Sequence, residues 1–383
     1  MRTAASEGEG EHRSATWLEL FYDLVFVVAV AALGHRLLLD HSWRGVWIFA
    51  GLFVPLWWTW ASFTFYADRY DTDDLGQRLL AVAQMVAIAL MAASISGEES
   101  DSTVAFAASF ILARAVLLAM YARAYQYIPE SRTLVAGYLR GFTLGGIPWV
   151  MSLWVPEPWR FVLWGIGLAI DFATPFILRK VQARVPLSVS HLPERFGLFT
   201  ILVLGESIAA VVAGLGSIGW ETDGTIGLIL GVVTATGLWW LYFDNVEGSV
   251  VRRRMEQTKA WKPTVWIYTH LPLAIGLTAS GIGMEFLVAQ HGEELRWIAV
   301  GGIAVALVSM AIIHLATERG DPRRDTALIS VRIVGAFVVI VIGLVSASWA
   351  TNIILLMLAL TCAVQVAIDL VLSNPVSDAQ EAA

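Results

Sequence analysis

The sequence predicts an all-α polytopic membrane protein with about 12 transmembrane helices in two six-helix halves, related as a parallel internal repeat. Three observations carry that expectation. Of 383 residues, 57% are hydrophobic and only 15% charged, with mean hydropathy +0.67, more apolar surface than a water-soluble fold can hide. Apolar stretches of roughly twenty residues recur along the chain, each long enough at about 1.5 Å per residue to cross a ~30 Å hydrocarbon layer. Landmark residues also return in the same order in the second half.

Residues 1–16 are polar and are expected as a cytoplasmic N-terminus. They lead straight into a run holding Glu19 and Asp23 with no small-residue cleavage site after it, so no removable signal peptide is expected. The first six-helix half, 17–178, divides into spans 17–38, 45–66, 78–97, 102–122, 139–156 and 158–178. A cytoplasmic linker, 179–195, follows. The second half, 196–372, divides into spans 196–216, 224–243, 264–288, 295–315, 329–347 and 349–372, and 373–383 form a cytoplasmic tail. With this count, 20 of the 25 Lys and Arg residues fall on the face that carries both termini. Arg36, Arg44, Arg160 and Arg296 fall on the other face, and Arg114 lies inside a span. The positive-inside rule then places both termini in the cytoplasm. The single cysteine, Cys362, excludes an intramolecular disulfide and a thiolate metal cluster.

Five landmarks define the repeat. Glu19-Leu20-Phe21 and Glu194-Arg195-Phe196 open spans 1 and 7, and Tyr66-Ala67-Asp68 and Tyr242-Phe243-Asp244 close spans 2 and 8. Gln84 matches His270, Arg140 matches Arg332, and Ala169-Ile170-Asp171 matches Ala367-Ile368-Asp369. The offset between partners grows from 175 to 198, as it does when loops gain residues while spans keep their order.

Ionisable groups inside hydrocarbon cost several kcal/mol unless paired or hydrated, so each is a candidate for function. Glu206 lies near the middle of span 7 and Arg114 at similar depth in span 4; the pair reads as a relay with its counter-charge, or as a buried ion pair that fixes helix register. Glu19 and Asp23 stand one helical turn apart and share a face of span 1, where two carboxylates can share a proton or hold a cation. For Glu19 the reading of a helix-start acid beside Trp17 is preferred. His270 precedes Pro272 in span 9 and is a secondary candidate because imidazole titrates near neutral pH. Arg140 with Asp171, and Arg332 with Asp369, are expected as structural clasps between consecutive helices. The acidic run Asp71-Thr72-Asp73-Asp74 fails the EF-hand spacing, and Arg252-Arg253-Arg254 with Lys259 and Lys262 reads as a stop-transfer signal or a contact for anionic lipid. Gly141-x-x-x-Gly145 and Gly227-x-x-x-Gly231 permit close helix contacts. No phosphate-binding glycine loop, His-Glu-x-x-His or nucleophile elbow is present; the chain is not expected to be an enzyme, nor to carry a cofactor or metal.

The runs Trp17-Leu18-Glu19-Leu20-Phe21-Tyr22-Asp23-Leu24-Val25-Phe26 and His191-Leu192-Pro193-Glu194-Arg195-Phe196-Gly197-Leu198-Phe199 carry a resemblance, with Leu204-Gly205-Glu206-Ser207 and Arg69-Tyr70-Asp71-Thr72-Asp73-Asp74. Across nearly its whole length the chain resembles the bacterial low temperature requirement A family. Asp68 stands where the family has Asn, and Tyr22 where Phe is common. The resemblance implies a multi-pass protein of the bacterial inner membrane with a role in stress, and supplies no substrate. The residues themselves suggest a proton- or cation-coupled secondary transporter of a small solute, with the lipid bilayer and that solute or ion as partners and no nucleic acid. The alternative is a non-transporting scaffold or sensor of the cold or stress response; a third reading, an intramembrane lipid-modifying enzyme, would need a pocket open to lipid beside Glu19 and Asp23.

Overall fold

A computed structural model describes residues 2–3, 16–71, 74–96, 100–183, 185, 191–244, 261–290, 295–317 and 322–373. The Arg252 to Lys259 run, Asp73 and the tail beyond 373 lie outside the described residues. Twelve long helices make up most of what is described. They are α1 (Trp17–Leu39), α2 (Trp43–Arg69), α3 (Leu75–Ile95), α4 (Ser100–Tyr127), α5 (Arg132–Ser152) and α6 (Trp159–Ile177). After a single turn, Arg179–Gln182, come α7 (His191–Ile218), α8 (Thr222–Phe243), α9 (Lys262–Val288), α10 (Arg296–Thr317), α11 (Pro322–Val345) and α12 (Thr351–Ser373). A two-residue antiparallel pairing sets Arg2 opposite Asp71 and Thr3 opposite Tyr70.

Eleven of these helices are long and apolar enough to cross a bilayer. The one left out is α5, expected as a span: Arg132, Arg140 and four glycines lower its hydropathy, although its 21 residues match the others in length. The helix faces that do not pack on neighbours carry Ile, Leu, Val and Phe, as on α11, where Ile333, Val334, Phe337, Ile340 and Leu344 are exposed. Water would not tolerate such faces on this scale, whereas acyl chains do. Exposed tryptophans stand at helix ends, among them Trp17, Trp43, Trp154, Trp159 and Trp220, where indole rings favour the membrane interface. The chain is a multi-pass membrane protein.

The chain forms two compact units, Met1–Arg195 and Phe196–Ala383. In the first, α1 packs on α2 and α3, and α3 to α6 pack serially. α1 begins with a capping box in which the Thr16 hydroxyl accepts from the Glu19 N–H while Glu19 accepts from the Thr16 N–H at 2.8 Å. From Pro55 to Arg69 every residue of α2 is buried, including Trp57, Trp58 and Trp60. That stretch is the core of the unit. Asp74 caps α3, accepting from the Gln77 N–H at 2.8 Å and from Arg123 at 2.8 Å. Gly141 and Gly145 let α5 lie against Thr174 and Asp171 of α6, since a Cβ at Gly145 would stand 2.3 Å from Asp171 Oδ1.

In the second unit α9 to α12 pack serially and α8 lies on α12 and α9. The α9 and α10 crossing is the closest: a Cβ at Gly283 would fall 2.1 Å from the Ala299 nitrogen and one at Gly302 2.4 Å from the Ser280 nitrogen. Gly219 ends α7 with φ +79°, the left-handed conformation that closes a helix, and its N–H donates to Leu215 O at 3.0 Å. Gly227 faces Asn352 and Leu355, and Gly231 faces Val211.

Candidate functional site

The densest set of buried charges lies in the first unit, where the start of α1, the end of α2 and the first turn of α7 meet. Residues 191–195, expected as the end of a linker, form that helical turn. Glu19 and Asp23 share one face of α1, as their spacing requires, and both face Arg195. Arg195 Nη2 donates to Asp23 Oδ1 at 2.7 Å, and its Nη1 stands 3.4 Å from Glu19 Oε1. The Trp60 indole N–H donates to the same Asp23 oxygen at 2.8 Å, while Asp23 Oδ2 is buried with no hydrogen-bond partner among the described residues. His191 sits between two acids, with Nδ1 3.1 Å from Asp68 Oδ1 and Nε2 3.5 Å from Glu19 Oε2. Asp23, Asp68, His191 and Arg195 are all 0% exposed. The next residue, Arg69, turns to Gln182 and the Val185 carbonyl.

Glu19 therefore serves both as a cap and as a member of this cluster. A neutral imidazole has one N–H and can satisfy one of the two acids; an imidazolium satisfies both. A protonated His191 thus joins Glu19 of α1 to Asp68 of α2, beside the direct bond from Trp60 to Asp23. Asp68, His191, Arg195 and Trp60 were not among the sequence candidates. The first three stand in the resemblance motifs or landmarks, where Arg195 reads as part of a helix start, and nothing local marks a contact across 123 residues.

Arg114, weighed as a counter-charge for Glu206, has its carboxylate in Asp171 of α6: Nη2 donates to Oδ2 at 2.6 Å. This corrects the expected clasp of Asp171 with Arg140. The buried stripe of α5 runs through Tyr138, Phe142, Gly145 and Trp149, and Gly145 is what touches Asp171. Arg140 stands five residues before Gly145, about 140° around the helix at roughly 100° per residue, and is exposed. In the second unit Arg332 lies on the buried stripe of α11 and is paired with Asp369, with Gln365 Oε1 accepting from Arg332 Nη1 at 3.3 Å.

His270 is buried with both ring nitrogens occupied, Nδ1 2.7 Å from the Trp266 carbonyl and Nε2 2.9 Å from the Tyr242 hydroxyl. The carbonyl can only accept, so Nδ1 carries the proton and Nε2 accepts from Tyr242. With Phe196, Trp266 and Tyr242 around it, the ring is a packing element. Glu206 is half-buried on α7, next to Ser207, whose hydroxyl donates to the Leu277 carbonyl of α9 at 3.0 Å. Glu285 of α9, an intramembrane acid absent from the sequence candidates, also lies along α7, its backbone carbonyl 2.8 Å from where a Cβ on Gly214 would stand.

A family model described as bacterial low temperature requirement A protein (LtrA) matches residues 14–363. A protein of Rhizobium meliloti (strain 1021), described as uncharacterised, is 28% identical over 293 residues, which are 73% of this chain and 71% of that protein. No solved structure matches the chain. The matched region takes in all four motif runs and every residue of the buried cluster, and the chain belongs to the bacterial low temperature requirement A family.

Proposed function

We propose that the protein is a secondary transporter of a small solute, coupled to protons or a cation through the buried cluster of Glu19, Asp23, Asp68, His191 and Arg195. The observation that carries this reading is the histidine held between two carboxylates, a link between helices that one proton makes or breaks. Glu206 of α7 and Glu285 of α9, on helices joined by the Ser207 hydrogen bond, offer a second pair of intramembrane acids for a proton or cation. The recurring landmarks support two halves of like orientation. The Lys and Arg distribution supports cytoplasmic termini in an inner membrane. Complete burial of His191, Asp68 and Arg195 favours the second reading, a scaffold or sensor in which the same cluster is a register lock.

The test is proton movement into proteoliposomes that enclose a pH-sensitive dye, on addition of candidate solutes and monovalent cations. The transporter reading expects a solute-dependent signal that His191→Gln and Glu206→Gln abolish while the protein stays folded. A folded wild-type protein that moves no protons with any solute or cation tried would hand the cluster to the scaffold or sensor reading.

A further inference from the structure

A crevice of about 310 Å³ lies between α4 and α5 of the first unit, away from the cluster above. Its walls are apolar and aromatic, with Phe110, Phe142 and Trp149 inside. Its rim carries Ile147, Val150 and Met151, which belong to the exposed apolar face and so open it towards acyl chains. Arg114 lines this crevice with only 5% of its surface exposed. The guanidinium stands 4.7 Å from the Phe142 ring centre and 5.2 Å from that of Phe110. One nitrogen, Nη2, is taken by Asp171; Nε and Nη1 are buried with no hydrogen-bond partner among the described residues.

Buried N–H groups seek acceptors, and this crevice, apolar apart from the Thr143 hydroxyl, supplies none to these two. The nature of the missing acceptor follows from charge and depth. Asp171 already neutralises Arg114, so a second anion would enter an apolar place with no net positive charge to receive it. Arg114 is also the thirteenth of 26 residues in its membrane-crossing stretch, Ser102–Tyr127, so each end is roughly 18 Å away at about 1.5 Å per residue. The carbonyls and head groups of ordinary phospholipids stay at the edge of a hydrocarbon layer ~30 Å thick and do not reach that depth. A flat uncharged head on an apolar tail does. We propose that this crevice binds a quinone-like molecule, with a neutral ring carbonyl accepting from Arg114 between the aromatic walls and an isoprenoid tail leaving over Ile147 and Met151.

Gly146 supplies a variant that leaves the fold alone, for it lines the crevice and a Cβ there meets nothing within 4 Å. The experiment is equilibrium binding of a radiolabelled short-tailed isoprenoid benzoquinone to the full-length protein in detergent micelles. Saturable binding is expected, weakened about tenfold or more both by Gly146→Leu, which fills the space, and by Arg114→Lys, which keeps the charge but loses the free N–H edge. An unlabelled quinone should displace the probe, and a tail-matched hydrocarbon without a carbonyl should not. Absence of saturable binding, or affinity unchanged in folded Gly146→Leu, overturns the proposal. So does equal displacement by the hydrocarbon, by oleate or by a phospholipid.

Discussion

Arg195→Gln is the most informative single change in the buried cluster. It removes the cation that stands 2.7 Å from Asp23 and 3.4 Å from Glu19, both buried. At an effective dielectric of about 20, unit charges roughly 2.7 Å apart attract by ~6 kcal/mol before desolvation is counted. Most of that offsets the cost of burying the charges, but removing one partner alone leaves the other uncompensated, at about 3–5 kcal/mol. Asp23→Asn costs less, because the amide oxygen still accepts from Trp60 and no buried anion is stranded. The double variant should then recover part of the loss, with a coupling of ~1.5 kcal/mol or more. An ordinary intramembrane hydrogen bond shows only about 0.6 kcal/mol. Reversible unfolding in mixed micelles of the wild type, the two single variants and the double variant measures this directly. Effects that add to within about 0.5 kcal/mol would show that Arg195 and Asp23 do not act as a pair, and the cluster would lose its central link.

Three further outcomes are expected. Gly145→Ala, whose new methyl would press on Asp171 Oδ1, should lower stability by about 1–3 kcal/mol, whereas Gly146→Ala one residue away should be nearly neutral in the same assay. Arg332→Met should destabilise by about 3–5 kcal/mol and the double change with Asp369→Leu should return close to wild type, which a pair needed only for register would allow; a double variant as poor as the single one would refute that role. Asp74→Ala should cost about 1 kcal/mol of α3 stability at neutral pH through its lost cap. The Gln77 N–H and then Arg123 hold the Asp74 carboxyl below its ordinary value of 3.8, so its contribution is present above that value and fades as pH falls through the lowered one. Thermal unfolding of both proteins from pH 7 downwards should therefore converge only in strong acid, and high salt should shrink the Arg123 part.

Helix number and placement were readable because apolar length is a one-dimensional property: what must cross hydrocarbon announces itself residue by residue. The Glu19 and Asp23 face was readable for a similar reason, since a four-residue spacing settles it before any tertiary contact is known. The partner of Asp171 was not. Depth gave Asp171 to Arg140 and set Arg114 beside Glu206, whereas the angular position of Gly145 on α5 turns Arg140 away and leaves Asp171 to Arg114. That much a helical wheel drawn through the Tyr138 to Trp149 stripe would have revealed. His191 meeting Asp68 is different in kind, because it depends on where α7 enters a bundle made more than a hundred residues earlier. Glu285 was lost through attention to midplane depth, which ranks acids by distance from water and takes no account of which helices stand together.

The wholly buried end of α2 has a bearing on how the protein is made. Asp68 and Arg69 emerge from the ribosome with the first two spans, yet His191 arrives more than a hundred residues later, with α3 to α6 already synthesised. Until then Glu19, Asp23 and Asp68 have neither Arg195 nor His191 beside them. The first turn of the seventh helix brings both cations to acids that the first two helices already carry. A fragment that stops after α6 at Ile177 would follow the apparent division between the halves but omit that turn. One carried through Arg195 would contain both His191 and Arg195.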